Sequence, residues 1–253
     1  MQGIKYQRDN AKTAELQAEL SRILGRVAHV YGISLPAGFS CPGALDCMTK
    51  VARNTGKVTD GKLQKFRCFA ASMEAVYRNL RNLVWHNFDL LREAKTRENM
   101  LAVLMATFPA DADAVRPGLD GDFFNQSYFD AVMDLARLNP SVRFYAYTKS
   151  ATYWIHHMDT EGIPANMELN YSEGGHHDAL AMARGLKTAK VVMHPDEAAA
   201  LGLEIDHDES HAINAGPSFA LLIHGTQPKG SEAAEAKKRL DREGIKYAYT
   251  AKK

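Results

Sequence analysis

Cysteine is scarce in this chain: three residues in 253. The number is odd, so a disulfide framework is not expected. Charge of one sign is also lacking, with 31 Lys and Arg against 30 Asp and Glu. There is therefore no global field to draw the protein to nucleic acid or to an anionic membrane. No apolar run approaches the ~20 residues needed to span a bilayer. The N-terminal MQGIKYQRDNAKTAEL is polar and lacks the apolar core of a signal peptide. These absences predict a protein of the reducing cytoplasm with no membrane contact. Internal repeats and low-complexity tracts are missing too.

What is present suits one large folded domain spanning residues 1–253. The balanced charge is unevenly spread. Eleven basic side chains lie between Lys50 and Arg97, and six acidic ones without a Lys or Arg between Asp196 and Glu209. The basic stretch flanks two of the cysteines and makes a local anionic partner, nucleic acid included, a reading to test.

Apolar spacing predicts a helix from about Ala11 to Arg26, with Leu16, Leu20, Ile23 and Leu24 on one face. A strand over Val27–Leu35 is stopped by Pro36-Ala-Gly38. A long polar loop, Phe39 to Phe66, carries Cys41 and Cys47, and loops of that length in a compact domain are usually functional or disordered. The segment 27–66 is thus a strand plus a cysteine-bearing loop. Cys68 opens the clearest helix, which runs over 68–94 with Phe69, Met73, Val76, Leu80, Leu83, Val84 and Leu91 at helical spacing. Glu98–Phe108 follows as a short helix, and Ala114–Leu119 is a weak strand leading into Gly121-Asp-Phe-Phe124.

Residues 114–250 then alternate. Strands are expected at Val142–Tyr147, Met167–Tyr171, Ala189–Met193 and Phe219–Ile223. Helices are expected at Gln126–Leu138, Ala151–Met158, Asp178–Gly185, Asp196–Leu201 and Ser231–Glu243. Such alternation implies parallel strands with helices outside. The fold class is α/β: a partial or complete (βα) barrel of about six parallel strands, with an N-terminal helix and a long cysteine-bearing loop. An open doubly wound sheet is the alternative.

The cysteines stand in Cys41-Pro-Gly-Ala-Leu-Asp-Cys47 and Phe66-Arg-Cys68-Phe-Ala. All three lie in or beside one loop. Cys68 is at a helix start with Arg67 adjacent, and both features favour a thiolate. Thiolates are the usual ligands of iron–sulfur clusters. Three of them leave one iron of a four-iron cluster for a histidine, an aspartate, water or a substrate. Three free, buried cysteines is the plainer reading. Zinc is another, although the C-x₂₋₄-C hook common in zinc sites is missing.

In a barrel, polar residues just past the strand ends share one rim. Here those are Asp122, Thr148, Lys149, Ser172, Glu173, His194 and His224, joined by Cys41 and Cys47. Two further motifs are candidates. Ser172-Glu-Gly-Gly-His-His-Asp178 would present backbone N–H groups to a phosphate or metal, or be capped by Asp178. His207-Asp208-x-x-His211 would place two imidazoles on one helical face as ligands of a mononuclear metallohydrolase. His156 and His157 read as packing or surface, and Phe144, Tyr145 and Tyr147 as core and wall.

Six segments resemble the phage gene product 88 family. They are Ser34-Leu-Pro-Ala-Gly-Phe-Ser-Cys-Pro-Gly43, Phe66-Arg-Cys-Phe-Ala70, Gly121-Asp-Phe-Phe124, Phe144-Tyr-Ala-Tyr-Thr-Lys149, Ile205-Asp-His-Asp208 and His224-Gly-Thr-Gln-Pro228. The resemblance covers roughly residues 33 to 231 and implies a phage-encoded protein working in the host cytoplasm. The order strand, three cysteines, long helix is more distantly similar to radical S-adenosylmethionine enzymes. That similarity implies a barrel, a cluster held by Cys41, Cys47 and Cys68, and a cofactor contact near Gly121. The cysteines are more widely spaced than is usual there, so it implies a [4Fe–4S] cluster more strongly than it implies S-adenosylmethionine.

The expectation is a cluster-binding protein, acting on a small molecule or with a redox partner. Zinc, a metal-free interaction module and the metallohydrolase are the competing readings.

Overall fold

The computed structural model describes residues 2–8 and 10–245; the last residues of the expected 114–250 segment lie outside these. Strand β1 (Gln7–Arg8) precedes helix α1 (Ala14–Leu24), which is entered through a single 3₁₀ turn capped by Asn10. Then come β2 (Val30–Ser34), β3 (Thr49–Val51), β4 (Val58–Asp60), α2 (Phe69–Val76), α3 (Arg78–Ala94) and α4 (Arg97–Met105). The alternating part is β5 (Ala114–Asp120), α5 (Gln126–Leu138), β6 (Arg143–Thr148), α6 (Ala151–Thr160), β7 (Met167–Ser172), α7 (Asp178–Ala183), β8 (Thr188–Val192), α8 (Pro195–Ala200), α9 (Ser210–Ile213), β9 (Phe219–Leu222) and α10 (Glu232–Arg242).

The main sheet has seven strands in the order β1-β2-β5-β6-β7-β8-β9. Every pairing is parallel except β1 with β2. The fold is therefore mixed α/β with a mostly parallel sheet. Of the partial or complete barrel expected, the complete form is not made by the described strands, because β1 and β9 end the order as two edges. The doubly wound alternative also fails, since such sheets reverse their strand order and here the parallel strands follow chain order.

Apolar spacing explains which faces are covered. On one side α3, α5 and α6 bury Val84, Leu91, Phe129, Val132 and Trp154 against Ile33, Val115, Phe144 and Leu169. On the other, α1 and α9 bring Leu16, Leu20, Ala212 and Ile213 onto Val30, Ala114, Tyr145 and Phe219. Both surfaces of the central strands are therefore dry, which is why their sequences run apolar rather than alternating.

Three features depart from the sequence pattern. The long loop holds the hairpin β3–β4. The 68–94 helix is broken at Tyr77, whose φ −101° and ψ 100° are extended. Buried Arg81 makes the break tolerable: its guanidinium donates to the Glu74 carbonyl at 2.5 Å, at the α2 end, and to the Arg53 carbonyl at 2.9 Å. The weak strand at Ala114 is central, since β2 and β6 flank it. Pro117 and Gly118 make it look weak, and the register slips between Ile33 and Ser34 beside them. Beyond Val115, β5 no longer pairs with β6, which opens the carboxyl end of the sheet.

Candidate cysteine site

The turn Leu35-Pro-Ala-Gly38 delivers Cys41. The Leu35 N–H donates to the Asp120 carbonyl at 2.9 Å, tying the turn to β5. Gly38 has φ +71°, and a Cβ there would sit 2.3 Å from the Thr49 carbonyl oxygen, so only glycine fits. Its N–H points at Cys41 Sγ, 3.3 Å away. Asp46 connects the other two cysteines: its carbonyl accepts from the N–H groups of Lys65 and Phe66 at 2.8 and 3.2 Å. Gln227 then brackets Arg67, accepting from its N–H at 2.7 Å and donating to its carbonyl at 3.2 Å. Cys68 is thereby held at the start of α2.

Cys47 and Cys68 line one cleft, and both act electrostatically on Cys41. Each residue is partly exposed, yet the sulfurs sit among protein atoms. Burial pushes the Cys41 thiol well up, and Asp122, Cys68 and Cys47 add to this. Burial pushes Cys68 up to about 12, with Cys47 next in effect; the Ala70 and Ala71 N–H groups and Lys12 pull the other way. Burial also raises Cys47, opposed chiefly by Lys149. The expected help from Arg67 is corrected by its pairing with Asp60, Nε to Oδ1 at 3.0 Å. Without a metal these cysteines are thiols, not thiolates. Among the described residues no three His, Cys, Asp or Glu side chains close around a single-ion position.

The glycine pair clamps the cysteine loop rather than offering its N–H groups to an anion. Asp178 takes those groups itself, Gly174 N–H at 2.9 Å and Gly175 N–H at 2.8 Å, and also accepts from Tyr171 Oη at 2.8 Å. The Gly174 carbonyl accepts from the Asp46 N–H at 2.9 Å, and the His176 N–H donates to the Gly43 carbonyl at 2.9 Å. A Cβ on Gly43 would lie 2.3 Å from the Lys149 carbonyl oxygen.

The rim residues divide. Buried Asp122 accepts from Thr148 Oγ1 at 2.6 Å and from the Lys149 N–H at 2.9 Å; burial nevertheless lifts its carboxyl to about 6. Lys149 is buried, and its ammonium donates to Ser172 Oγ at 3.0 Å and to the carbonyls of Ser172 and Glu173. The Glu173 carboxylate turns to Thr188 and Lys190. His224 lies in the Cys47–Cys68 cleft, against Phe69 with ring centroids 5.0 Å apart, and burial lowers it to about 4, so it is neutral. His194 caps α8 and pairs with Glu243 at 2.7 Å; it does not join the cleft.

A cleft of about 180 Å³ adjoins the thiols. Cys47, Cys68, Phe69, Arg116, Ser172 and His224 are among its walls, with Lys12 reaching in from the 3₁₀ turn. Lys12 donates to Asp120 at 2.8 Å and lies 4.7 Å from the Phe69 ring centre. Arg116 is ion-paired with Glu209, whose other oxygen accepts from Tyr145 Oη.

A family model described as "Gene product 88" matches residues 4–243. The chain belongs to the gene product 88 family. It is 32% identical over 134 residues to the Gene 88 protein of Mycobacterium phage L5, covering 50% of this chain and 49% of that protein. It is 31% identical over 134 residues to the Gene 88 protein of Mycobacterium phage D29, with the same shares. The chain spans about half the length of these curated relatives. No solved structure matches it.

The segments that carry the family resemblance meet in space. Ser34–Gly43, Phe66–Ala70, Gly121–Phe124, the Thr148–Lys149 end of β6 and His224–Pro228 all contribute contacts around the cysteines. The sixth, Ile205–Asp208, stands apart beside β9, bridging Ala220. His207 and His211 do not share a helix, because α9 begins at Ser210; His211 pairs with Glu204 at 2.9 Å. His157 is core, held by Asp130 at 2.7 Å, and Tyr145 is fully buried. The basic stretch is largely engaged: Arg53 with Asp89, Lys65 with Asp46, Arg97 with Asp134 and Glu161. No helix among the described residues is long and apolar enough to cross a membrane. Lys12, Arg116 and Gln227 line or brace the site without having been flagged by spacing. Each sits in a different element and becomes a neighbour only through the strand order.

Proposed function

We propose that this chain is a phage-encoded iron–sulfur protein of the host cytoplasm, binding a [4Fe–4S] cluster through Cys41, Cys47 and Cys68. One observation carries the reading. The thiols at positions 41, 47 and 68 stand at the open end of a parallel sheet, where burial disfavours each as an anion, Cys47 and Cys68 further disfavour Cys41, and Cys47 further disfavours Cys68. Burial keeps all three as neutral thiols, and cationic iron, which takes thiolates as ligands, would offset the cost of ionising them there. The parallel strands running in chain order support a partial (βα) barrel as the scaffold.

Cys41, Cys47 and Cys68 would hold the group, and the close packing of Gly38 on the Thr49 carbonyl and of Gly43 on the Lys149 carbonyl fixes the loop that carries the first two. With three cysteine ligands, one iron has no protein thiolate, and the cleft beside Cys47 and Cys68 has space for a small ligand there. When bound, such a cluster supplies one-electron transfer or a Lewis-acidic iron. The chain's own residues bury the thiols, fix their spacing and set the charge around them. The cleft is the place where S-adenosylmethionine or another small molecule would bind.

Anaerobic purification followed by iron and sulfide analysis tests the reading. Near four irons and four sulfides per chain are expected, with a brown colour lost in Cys41→Ser, Cys47→Ser and Cys68→Ser. A colourless protein with stoichiometric zinc, or metal content unchanged by all three substitutions, overturns it. A spectral change on adding S-adenosylmethionine identifies the cleft ligand.

A further inference from the structure

Lys149 is an unusual cation. Its side chain is buried at the end of β6, and its three donors all go to neutral acceptors: Ser172 Oγ, the Ser172 carbonyl at 2.8 Å and the Glu173 carbonyl. Among the described residues no carboxylate forms an ion pair with it, whereas Lys12, which lines the cleft, is paired with Asp120 at 2.8 Å. A buried charge without a counter-ion is costly, by several kcal/mol before relaxation. Something of opposite sign belongs beside it. Three groups act on it without touching it. Asp122 and Asp178 are two, both carboxylates aimed at other donors: Asp122 at Thr148 and the Lys149 and Phe123 N–H groups, Asp178 at Tyr171 and the Gly174 and Gly175 N–H groups. The third is the cysteine site. Ser172, which holds the ammonium, shares the cleft wall with Cys47 and Cys68, and Gly43 between Cys41 and Cys47 packs directly on the Lys149 backbone.

We propose that Lys149 is the counter-charge of the three-thiolate cluster and raises its reduction potential. The inference rests on the cluster reading above. The charge argument is simple. Three thiolates outweigh the charge of an oxidised four-iron core, and reduction adds one more electron, so a fixed neighbouring cation stabilises the reduced form more. Net charge near a cluster is one of the levers that set its potential. Lys149 touches the cluster's surroundings rather than the reacting atoms, so it is a positioning residue. Lys12, already neutralised by Asp120, should contribute much less.

The test is a mediated redox titration of the anaerobically loaded protein, one electron passing from dithionite-reduced mediators to the cluster. Lys149→Gln should lower the one-electron reduction constant at least tenfold, about 59 mV. Lys149→Arg should stay near wild type, and Lys12→Gln should shift the potential by less than half as much. If Lys149→Gln does not fold, Ser172→Asp decides: it keeps the lysine and sets a carboxylate against it, and the same downward shift is expected. A potential unchanged in every neutralising variant that retains its iron, or a shift equal for Lys12 and Lys149, overturns the inference while leaving the cluster reading intact. A wild-type chain that binds no iron and sulfide overturns the cluster reading first, and this inference with it.

Discussion

Glu74 is the sharpest test of how the cysteine site is held. It lies in α2, six residues past Cys68, and is wholly buried. Oε1 accepts from the Ala37 N–H at 2.7 Å, linking α2 to the turn before Cys41, while Oε2 has no hydrogen-bond partner among the described residues. Burial raises the carboxyl from its ordinary 4.5 to about 8, against the pull of the Ala37 N–H, Lys12 and Arg81. The sign follows from linkage. The unfolded chain ionises Glu74 near 4.5 and the folded chain only near 8, so its contribution to stability is complete below 4.5 and is lost as pH climbs to about 8. At about 1.36 kcal/mol per pH unit, that interval sets a ceiling of roughly 5 kcal/mol. Relaxation will take part of it, leaving a difference on the order of 2–3 kcal/mol. Glu74→Gln keeps an oxygen for Ala37 and removes the ionisation. At pH 5 the variant should match wild type to within about 1 kcal/mol. At pH 8.5 it should be the more stable, and its unfolding temperature higher by roughly 5–10 °C, at 2–4 °C per kcal/mol for a domain of this size. Thermal unfolding of the metal-free chain from pH 5 to 8.5 measures this. A gap that does not widen with pH, or a variant less stable at pH 8.5, refutes the reasoning.

Three further outcomes are expected. Gly43→Ala must push the cysteine loop off the Lys149 carbonyl; it should cost about 1–3 kcal/mol in urea unfolding and lower the iron bound per chain. Gln227→Ala removes both bonds that bracket Arg67, costing about 1–2 kcal/mol, and iron loading should fall more than in a variant of equal stability loss outside the site. The metal-free protein should lose stability as pH rises from about 9 toward 12, because burial keeps Cys68 a thiol up to about 12 while the unfolded chain ionises near 9; Cys68→Ser should lose less over that range.

Local pattern made much of the fold legible. Helix α5 falls where apolar spacing places it, and strands β6 to β9 lie within two residues of their apolar runs. These elements report their own burial, which is a property of a few neighbouring residues. The misreadings come from partners far along the chain. Apolar spacing runs straight through Tyr77, and the break is tolerated because Arg81 reaches the Glu74 carbonyl that an intact helix would have used. β5 looks weak because of Pro117 and Gly118, yet its neighbours bury it almost throughout. The glycine pair looks like an anion cradle until Asp178 is seen filling it.

The same division applies to the site. The residues themselves determined that three cysteines, and no disulfide framework, stand in or just after a long loop that ends at a helix start. Only the tertiary structure decided that Cys47 and Cys68 share a cleft and act on Cys41, that Arg67 turns away to Asp60 while Lys149 and Lys12 come near, and that His224 joins the cleft and His194 does not. The reason is physical: ligand and charge arrangements depend on distances across strands in space. Strand order and packing set those distances, and the spacing of residues along the chain does not contain them.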